Sequence, residues 1–305
     1  MSDSAYIRER KSDEGSGKRD LTYPPAPEPL PVGIYDNHTH LEIADGEQWI
    51  ECPEQLHRAA EVGVIGVVQV GTDVATSRWS AEMAAAQPRM LAAVALHPNE
   101  APRLAERGEL DMALATIDEL ASWPRTRAIG ETGLDYFRTG DDGRDAQHHS
   151  FEVHIDIAKR HGLALQIHDR DAHEDVLATL KRVGAPDRTV FHCFSGDVEM
   201  AKYAVEQGWY LSFAGTFTFK KNDHLREALA LAPRTQILVE TDAPYLTPMP
   251  YRGRPNAPYL TPYTVRAMAE YLQTDLGDLC AQLASNTQAV YGSWDDGLVE
   301  SEGDF

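Results

Sequence analysis

Eight short apolar segments recur along the chain with helical stretches between them, and this alternation constrains the fold more than any other feature. The segments are IYDNHTHL (34–41), VIGVVQV (64–70), MLAAVALH (90–97), RAIGETG (127–133), LALQIH (163–168), TVFHCF (189–194), WYLSFAG (209–215) and QILVETD (236–242). Helical patterns such as TIDELASW (116–123), QHHSFEVHIDIAKRHG (147–162), AHEDVLATLKRVG (172–184) and DHLREALALA (223–232) lie between them. Most of the short segments are apolar almost throughout, as expected of parallel strands buried on both faces. Eight strands, each followed by a helix, predict an α/β fold, a closed (β/α)8 TIM barrel. An open doubly wound sheet is the alternative, but no GxGxxG follows the first strand. A last helical segment, 275–292, is expected to pack against the outside.

One barrel with tails accommodates 305 residues, because such barrels run to about 250 residues as one domain. Residues 1–30 are charged and then proline-rich, the composition of a disordered or extended N-terminal segment. Residues 31–292 form the barrel domain and 293–305 an acidic tail. No apolar run reaches the roughly 18 to 20 residues of a membrane span, and the first twenty residues lack the apolar core of a secretory signal. Cys52, Cys193 and Cys280 are few, far apart and odd in number. They are expected to be reduced thiols of a cytoplasmic protein. The 28 basic and 48 acidic residues give a net charge of −20. That counts against broad duplex binding, which needs Lys and Arg to neutralise phosphates. It leaves room for a local positive mouth made by bound cations and a few arginines.

The polar residues of the strands cluster at their C-terminal ends. Asp36, His38 and His40 alternate along the first strand and share one face. Glu131 belongs to strand four, His168 to strand five, His192 to strand six and Asp242 to strand eight. In a barrel these ends converge on one mouth, where active sites sit. Imidazoles with carboxylates suit first-row divalent ions. Six ligands exceed the three that a single catalytic zinc takes and suit two ions about 3.5 to 4 Å apart. The expected cofactors are therefore two divalent metal ions (Zn, Mg, Mn, Co or Fe). His38, His40 and Asp242 are assigned to the first ion, Glu131 to a bridge, and His168 and His192 to the second. A lone strand histidine is more often a packed core residue. Six such groups are not explained that way, because buried carboxylates need partners.

DNHTHL (36–41), GETGLD (130–135), IHDRDA (167–172), FHCFSG (191–196), ETDAPYL (240–246) and PYRGRPNAP (250–258) stand in an order that resembles the TatD family of metal-dependent deoxyribonucleases. The likeness covers about 33–292, so this region is identified as a TIM-barrel metallohydrolase domain. The resemblance implies nuclease activity, often 3′ to 5′ on single-stranded ends. It also implies metal ligands at His38, His40, Glu131, His168, His192 and Asp242, the set derived from strand position. The N-terminal extension has no place in the family core, His154 stands where Gln is common, and Arg254 where Lys is frequent.

The expected reaction is hydrolysis of a nucleic-acid phosphodiester by a metal-activated water, with Asp242 and Glu131 as catalytic carboxylates and Asp242 guiding the water and accepting its proton. His97, Arg170 and Arg252 are expected to bind the substrate. Tyr136, Phe137, Phe194 and Phe217 are candidates for stacking on bases, although packing is the commoner role of each. Arg138 is expected at the surface or paired with Asp135. Barrel metallohydrolases also cleave other bonds. A D-aminoacyl-tRNA deacylase or another amidohydrolase-type enzyme is thus the alternative, and a non-catalytic metal-binding barrel the more distant one. Glu131, where many amidohydrolases carry a carbamylated lysine, favours the nuclease. Oligomeric state is not readable from the sequence.

Overall fold

A computed structural model describes residues 6–10 and 19–295. All eight expected segments are strands: β2 (Ile34–Thr39), β4 (Val64–Val70), β5 (Met90–Val94), β6 (Thr126–Asp135), β7 (Ala164–Arg170), β8 (Thr189–Phe191), β9 (Tyr210–Phe213) and β10 (Ile237–Val239). They form one eight-stranded sheet in the order β10-β9-β8-β7-β6-β5-β4-β2. Helices alternate with the strands, as in a (β/α)8 barrel. Two further strands of two residues each, β1 (Arg8–Glu9) and β3 (Ile43–Ala44), pair in parallel outside that sheet. No helix among the described residues is long and apolar enough to cross a membrane.

The chain divides into two compact units. One lies within Met1–Val68 and Asp187–Val290, the other within Gln69–Pro186 and Tyr291–Phe305.

In the first unit, β2 is buried along its whole length. It neighbours β10 at the end of the sheet order through a bridge between Thr39 and Ala243. Two backbone hydrogen bonds tighten this join, Asp242 N–H to the His38 carbonyl at 2.9 Å and His40 N–H to the Ala243 carbonyl at 2.8 Å. Phe191, Phe194, Phe213 and Phe217 pack edge to face below, the preferred geometry for aromatic pairs. The helix α7 (Val198–Glu206) starts where Asp197 accepts the Met200 N–H at 2.9 Å. Of the expected N-terminal segment, residues 19–30 form no helix or strand. They are held by Arg254, which donates to the Thr22 and Tyr23 carbonyls, and by Tyr259, which donates to that of Pro24.

In the second unit, α2 (Val74–Ala86) begins with a capping box between Asp73 and Thr76. The long helix α5 (Asp141–His161) ends at Gly162, left-handed at φ 61°. β6 continues past residue 133 to Asp135 because Gly133, Leu134 and Asp135 pair with His168, Asp169 and Arg170 of β7. Gly133 cannot be replaced there. A Cβ would stand 2.0 Å from the His168 carbonyl oxygen, at φ 144°. The buried Arg125 side chain donates to the carbonyls of Pro88, Met90 and Trp294. Of the tail expected at 293–305, residues past Asp295 lie outside the described residues.

Five strands end earlier than the apolar runs suggest. β2 stops at Thr39, β5 at Val94, β8 at Phe191, β9 at Phe213 and β10 at Val239. Cys193 (φ 41°) and Asp242 (φ 53°) are left-handed, a conformation no strand ladder carries.

His154, on α5, is fully buried. Its Nε2 accepts the Leu96 N–H at 3.1 Å and its Nδ1 donates to the Ser150 carbonyl at 2.7 Å. Burial pushes its pKa from the ordinary 6.5 down to about 4. The unfolded chain takes up a proton at 6.5 and the folded chain does not. The associated stability is therefore whole above pH 6.5 and is lost as pH falls toward 4, by up to about 3 kcal/mol. His154→Gln, which keeps an acceptor for Leu96, is expected to flatten the stability–pH curve over that window. Urea midpoints taken across it check this, and an unchanged slope removes the role.

Candidate metal centre

In the first unit, alternation along β2 places Asp36 and His38 on one face, and His40 follows in register. The Nε2 atoms of His38 and His40 lie 3.3 Å apart. The Asp242 Oδ1 stands 3.8 Å from the first and 3.5 Å from the second. The three ligand atoms fall within 4.8 Å of one another. Asp242 reaches them from its left-handed turn, a strained conformation for a non-glycine residue of the kind found at functional sites.

His192, just past β8, stacks on His38 with ring centroids 3.9 Å apart. Its Nδ1 faces the Glu240 Oε1 at 3.3 Å, and the same oxygen accepts the Cys193 N–H at 2.8 Å. An Nδ1–H donated to Glu240 leaves the lone pair of His192 on Nε2, the form a metal ligand needs. The other oxygen of the buried Glu240, Oε2, has no hydrogen-bond partner among the described residues. Asp36 is fully buried and accepts from the Thr241 hydroxyl at 2.5 Å and from the Thr241 N–H at 2.9 Å. Burial pushes its carboxyl up to about 8 against these hydrogen bonds. It thereby ties the segment that carries His38 to the segment that carries Asp242.

The second unit carries its own group, in which ligand atoms of His97, Glu131 and His168 fall within 4.8 Å of one another. The His168 Nδ1 is 3.2 Å from the Glu131 Oε2, and its Nε2 is 3.4 Å from the Asp135 Oδ2. Burial pushes the Asp135 carboxyl up, but hydrogen bonds from His168, Asn99 and the Arg138 N–H outweigh it and hold the carboxyl well below the usual range. The Asn99 N–H donates to the His97 Nδ1 at 3.0 Å. Neutral His97 therefore carries its proton on Nε2, 4.0 Å from Glu131.

Residues 35–292 match the family model described as TatD related DNase. The chain belongs to this family. The uncharacterized metal-dependent hydrolase TatD of Mycobacterium tuberculosis is 44% identical over 263 residues, 85% of this chain and 98% of that protein. The protein named 3′-5′ ssDNA/RNA exonuclease TatD of Citrobacter rodentium is 32% identical over 250 residues, 78% of this chain and 91% of the relative. The crystal structure of YjjV, a TatD homolog from Escherichia coli K12, superposes with a TM-score of 0.76 at 26% identity, covering 85% of this chain and 98% of that one. The chain is thus a TatD-family metal-dependent hydrolase on a TIM barrel.

Against this family background, His38, His40, His192 and Asp242 fall in one unit and His97, Glu131 and His168 in the other. Glu131 lies inside β6, not at its end, and His97, His192 and Asp242 lie just beyond their strands. Arg170 rests on the ring of Phe137, 61% exposed, at 3.8 Å, and Arg252 on that of Phe219 at 4.4 Å. Phe194 and Phe217 are each only 2% exposed and belong to the aromatic core, so neither offers a face to a base. It is the Arg138 backbone N–H that meets the Asp135 carboxylate. The sequence reading missed Glu240 and Asp135 as partners of the site histidines. The spacing of Glu240 and Asp242, two apart at a strand end, was the available signal.

A carboxylate on the far nitrogen of a ligating histidine fixes its tautomer and raises its basicity. Glu240→Ala is expected to lower divalent-metal affinity about 10- to 100-fold with the far-UV spectrum intact. Isothermal titration of the chelator-stripped protein measures this, and wild-type affinity in the variant contradicts it.

Proposed function

We propose that this chain is a TatD-type nuclease that hydrolyses phosphodiester bonds at single-stranded nucleic-acid ends, in the 3′ to 5′ direction, with two divalent metal ions as cofactors. The observation that carries the reading is the meeting of His38 Nε2, His40 Nε2 and Asp242 Oδ1 within 4.8 Å. Two imidazole nitrogens 3.3 Å apart with a carboxylate oxygen beside both form a donor set that fits a divalent ion. The orphaned Oε2 of Glu240, which backs His192, is consistent with a nearby positive charge. The ligand set we assign is His38, His40, Glu131, His168, His192 and Asp242.

Divalent ions held there supply Lewis acidity toward a phosphoryl oxygen and make water a competent nucleophile near neutral pH. The Asp242 carboxylate, 15% exposed beside His38 and His40, orients the attacking water and takes its proton. Glu131 is the second catalytic carboxylate. His97, with its proton on Nε2, donates to a phosphoryl oxygen. Arg170 and Arg252 bind flanking phosphates, while the Phe137 and Phe219 rings beneath them offer faces to unstacked bases. Single strands suit a body with a net charge of −20, because stacking replaces part of the electrostatic attraction that duplex binding demands. The relative from Citrobacter rodentium, named for exonuclease action on single-stranded DNA and RNA, supports the choice of substrate. We place the enzyme in the cytoplasm, in keeping with its few and widely spaced cysteines.

Digestion of an end-labelled single-stranded oligonucleotide, run beside deacylation of charged tRNA, tests the proposal. Stepwise shortening from the 3′ end, lost on chelation and restored by metal, is expected. Turnover of the charged tRNA alone rejects the nuclease. Asp242→Asn is expected to reduce kcat by at least about 100-fold, the scale of a lost general base. An undiminished rate in that variant removes the role given to Asp242.

A further inference from the structure

The described residues before 34 lie outside the family match, yet three of their arginines pair with the carboxylates of Glu42 and Asp45. Arg8 and Glu9 pair with Ile43 and Ala44, just beyond the ligand His40. The Arg8 guanidinium meets the Glu42 carboxylate, which is fully buried, at 2.5 Å. Arg10 donates to the Asp45 Oδ2 at 3.0 Å and, with the same nitrogen, to the Pro244 carbonyl at 3.1 Å. Arg19 grips Asp45 with two nitrogens, at 3.0 and 2.8 Å, and donates its Nε to the Gly253 carbonyl at 2.8 Å. Tyr23 donates to the Asp45 carbonyl at 2.9 Å.

These contacts fall on two backbone segments, 42–45 and 244–253. The first follows His40 and the second follows Asp242. A fork on a carboxylate is the strongest ion-pair geometry available to arginine, and Asp45 is only 8% exposed, so solvent does little to weaken it. Pro244 is two residues from Asp242, and Arg10 also lies over the ring of Tyr245, 4.9 Å from its centroid. One guanidinium thus spans both ligand-bearing segments, one step outward from the Thr39–Ala243 bridge.

We infer that Arg10 and Arg19 are positioning residues of the metal centre: through Asp45 and the Pro244 and Gly253 carbonyls, they hold the His38–His40 segment against the Asp242 segment at ligand spacing. The inference rests on the ligand set proposed above. It makes a segment that lies outside the family match a working part of the metal centre. Residues that orient ligands from outside the coordination sphere govern metal affinity about 10- to 100-fold.

The full-length protein, stripped by chelation, is titrated with Zn2+ or Mn2+ alone by calorimetry. The Arg10→Ala/Arg19→Ala variant is expected to lose about 10- to 100-fold in affinity at one of two sites. In the metal-loaded form it loses kcat on a single-stranded oligonucleotide with little change in KM. Arg10→Lys/Arg19→Lys, which keeps charge but not the fork, recovers part of both. Asp45→Asn, nearly isosteric, gives the same loss as the double alanine variant, and combining them adds little, as expected of one network. Arg266→Ala is the control for docking alone, since Arg266 holds the same segment at the Glu28 and Pro29 carbonyls. It keeps wild-type metal affinity. Wild-type affinity in Asp45→Asn, or an equal loss in Arg266→Ala, overturns the inference and leaves the nuclease reading standing. If the double alanine variant does not fold, Asp45→Asn decides. Wild-type protein that takes up no metal overturns both.

Discussion

Buried carboxyl groups are the condition around which this molecule is arranged. Asp36, Glu42, Asp135 and Glu240 are at most 1% exposed, and a carboxylate left alone at such a site costs several kcal/mol. Each is answered by a named group. Asp36 has the Thr241 hydroxyl and N–H, Glu42 has Arg8, Asp135 has Asn99 and His168, and Glu240 has His192 and the Cys193 N–H. Three of these pairings end on a histidine assigned to the metal or on the segment that carries Asp242. The polar groups that stabilise the strand ends are therefore the groups that fix the imidazoles. Stability and site geometry come from one set of contacts.

The backbone works to the same end. β2 and β10 are the two ends of the sheet order, and at their join the main chain exchanges hydrogen bonds through His38, His40 and Asp242 themselves. A left-handed turn at Asp242 then sends its carboxylate back toward the two histidines. Asn256 braces that turn by donating to the Thr241 and Tyr245 carbonyls. The closing motif PYRGRPNAP thus braces the Asp242 turn through the backbone.

The barrel was readable in the sequence because both determinants of a parallel strand, apolar runs and alternation with helices, are local. The polar positions proposed as metal ligands stood out for a related reason. A polar residue inside an apolar run is conspicuous, although the structure sets Glu131 inside β6 and His192 and Asp242 just past their strands. Partnership was harder to see. Glu240 answers His192 from 48 residues away, and Asp36 answers Thr241 from 205. No pattern in either segment names the other. Phe194 and Phe217 pack in the core, the commoner role, but an aromatic residue near a strand end looks the same in sequence whether it faces the mouth or the core. The contacts of the N-terminal segment were hidden for a different reason. Its composition is that of a chain without a core, yet Arg10, Arg19 and Tyr23 find fixed acceptors on Asp45. Charge pairing with a distant carboxylate leaves no trace in hydropathy.

The join between the first and last strands of the sheet has a consequence for synthesis. His38 and His40 leave the ribosome some two hundred residues before Asp242, and Asp36 waits equally long for Thr241. Chains emerge at roughly 5 to 20 residues per second, so for about 10 to 40 seconds the nascent polypeptide carries its first histidines without their carboxylate. The pairing of Asp36 with Thr241 therefore waits until about four-fifths of the chain has been made. A truncated chain that stops short of residue 242 lacks the carboxylate that meets His38 and His40, so their cluster closes only after that residue has been made.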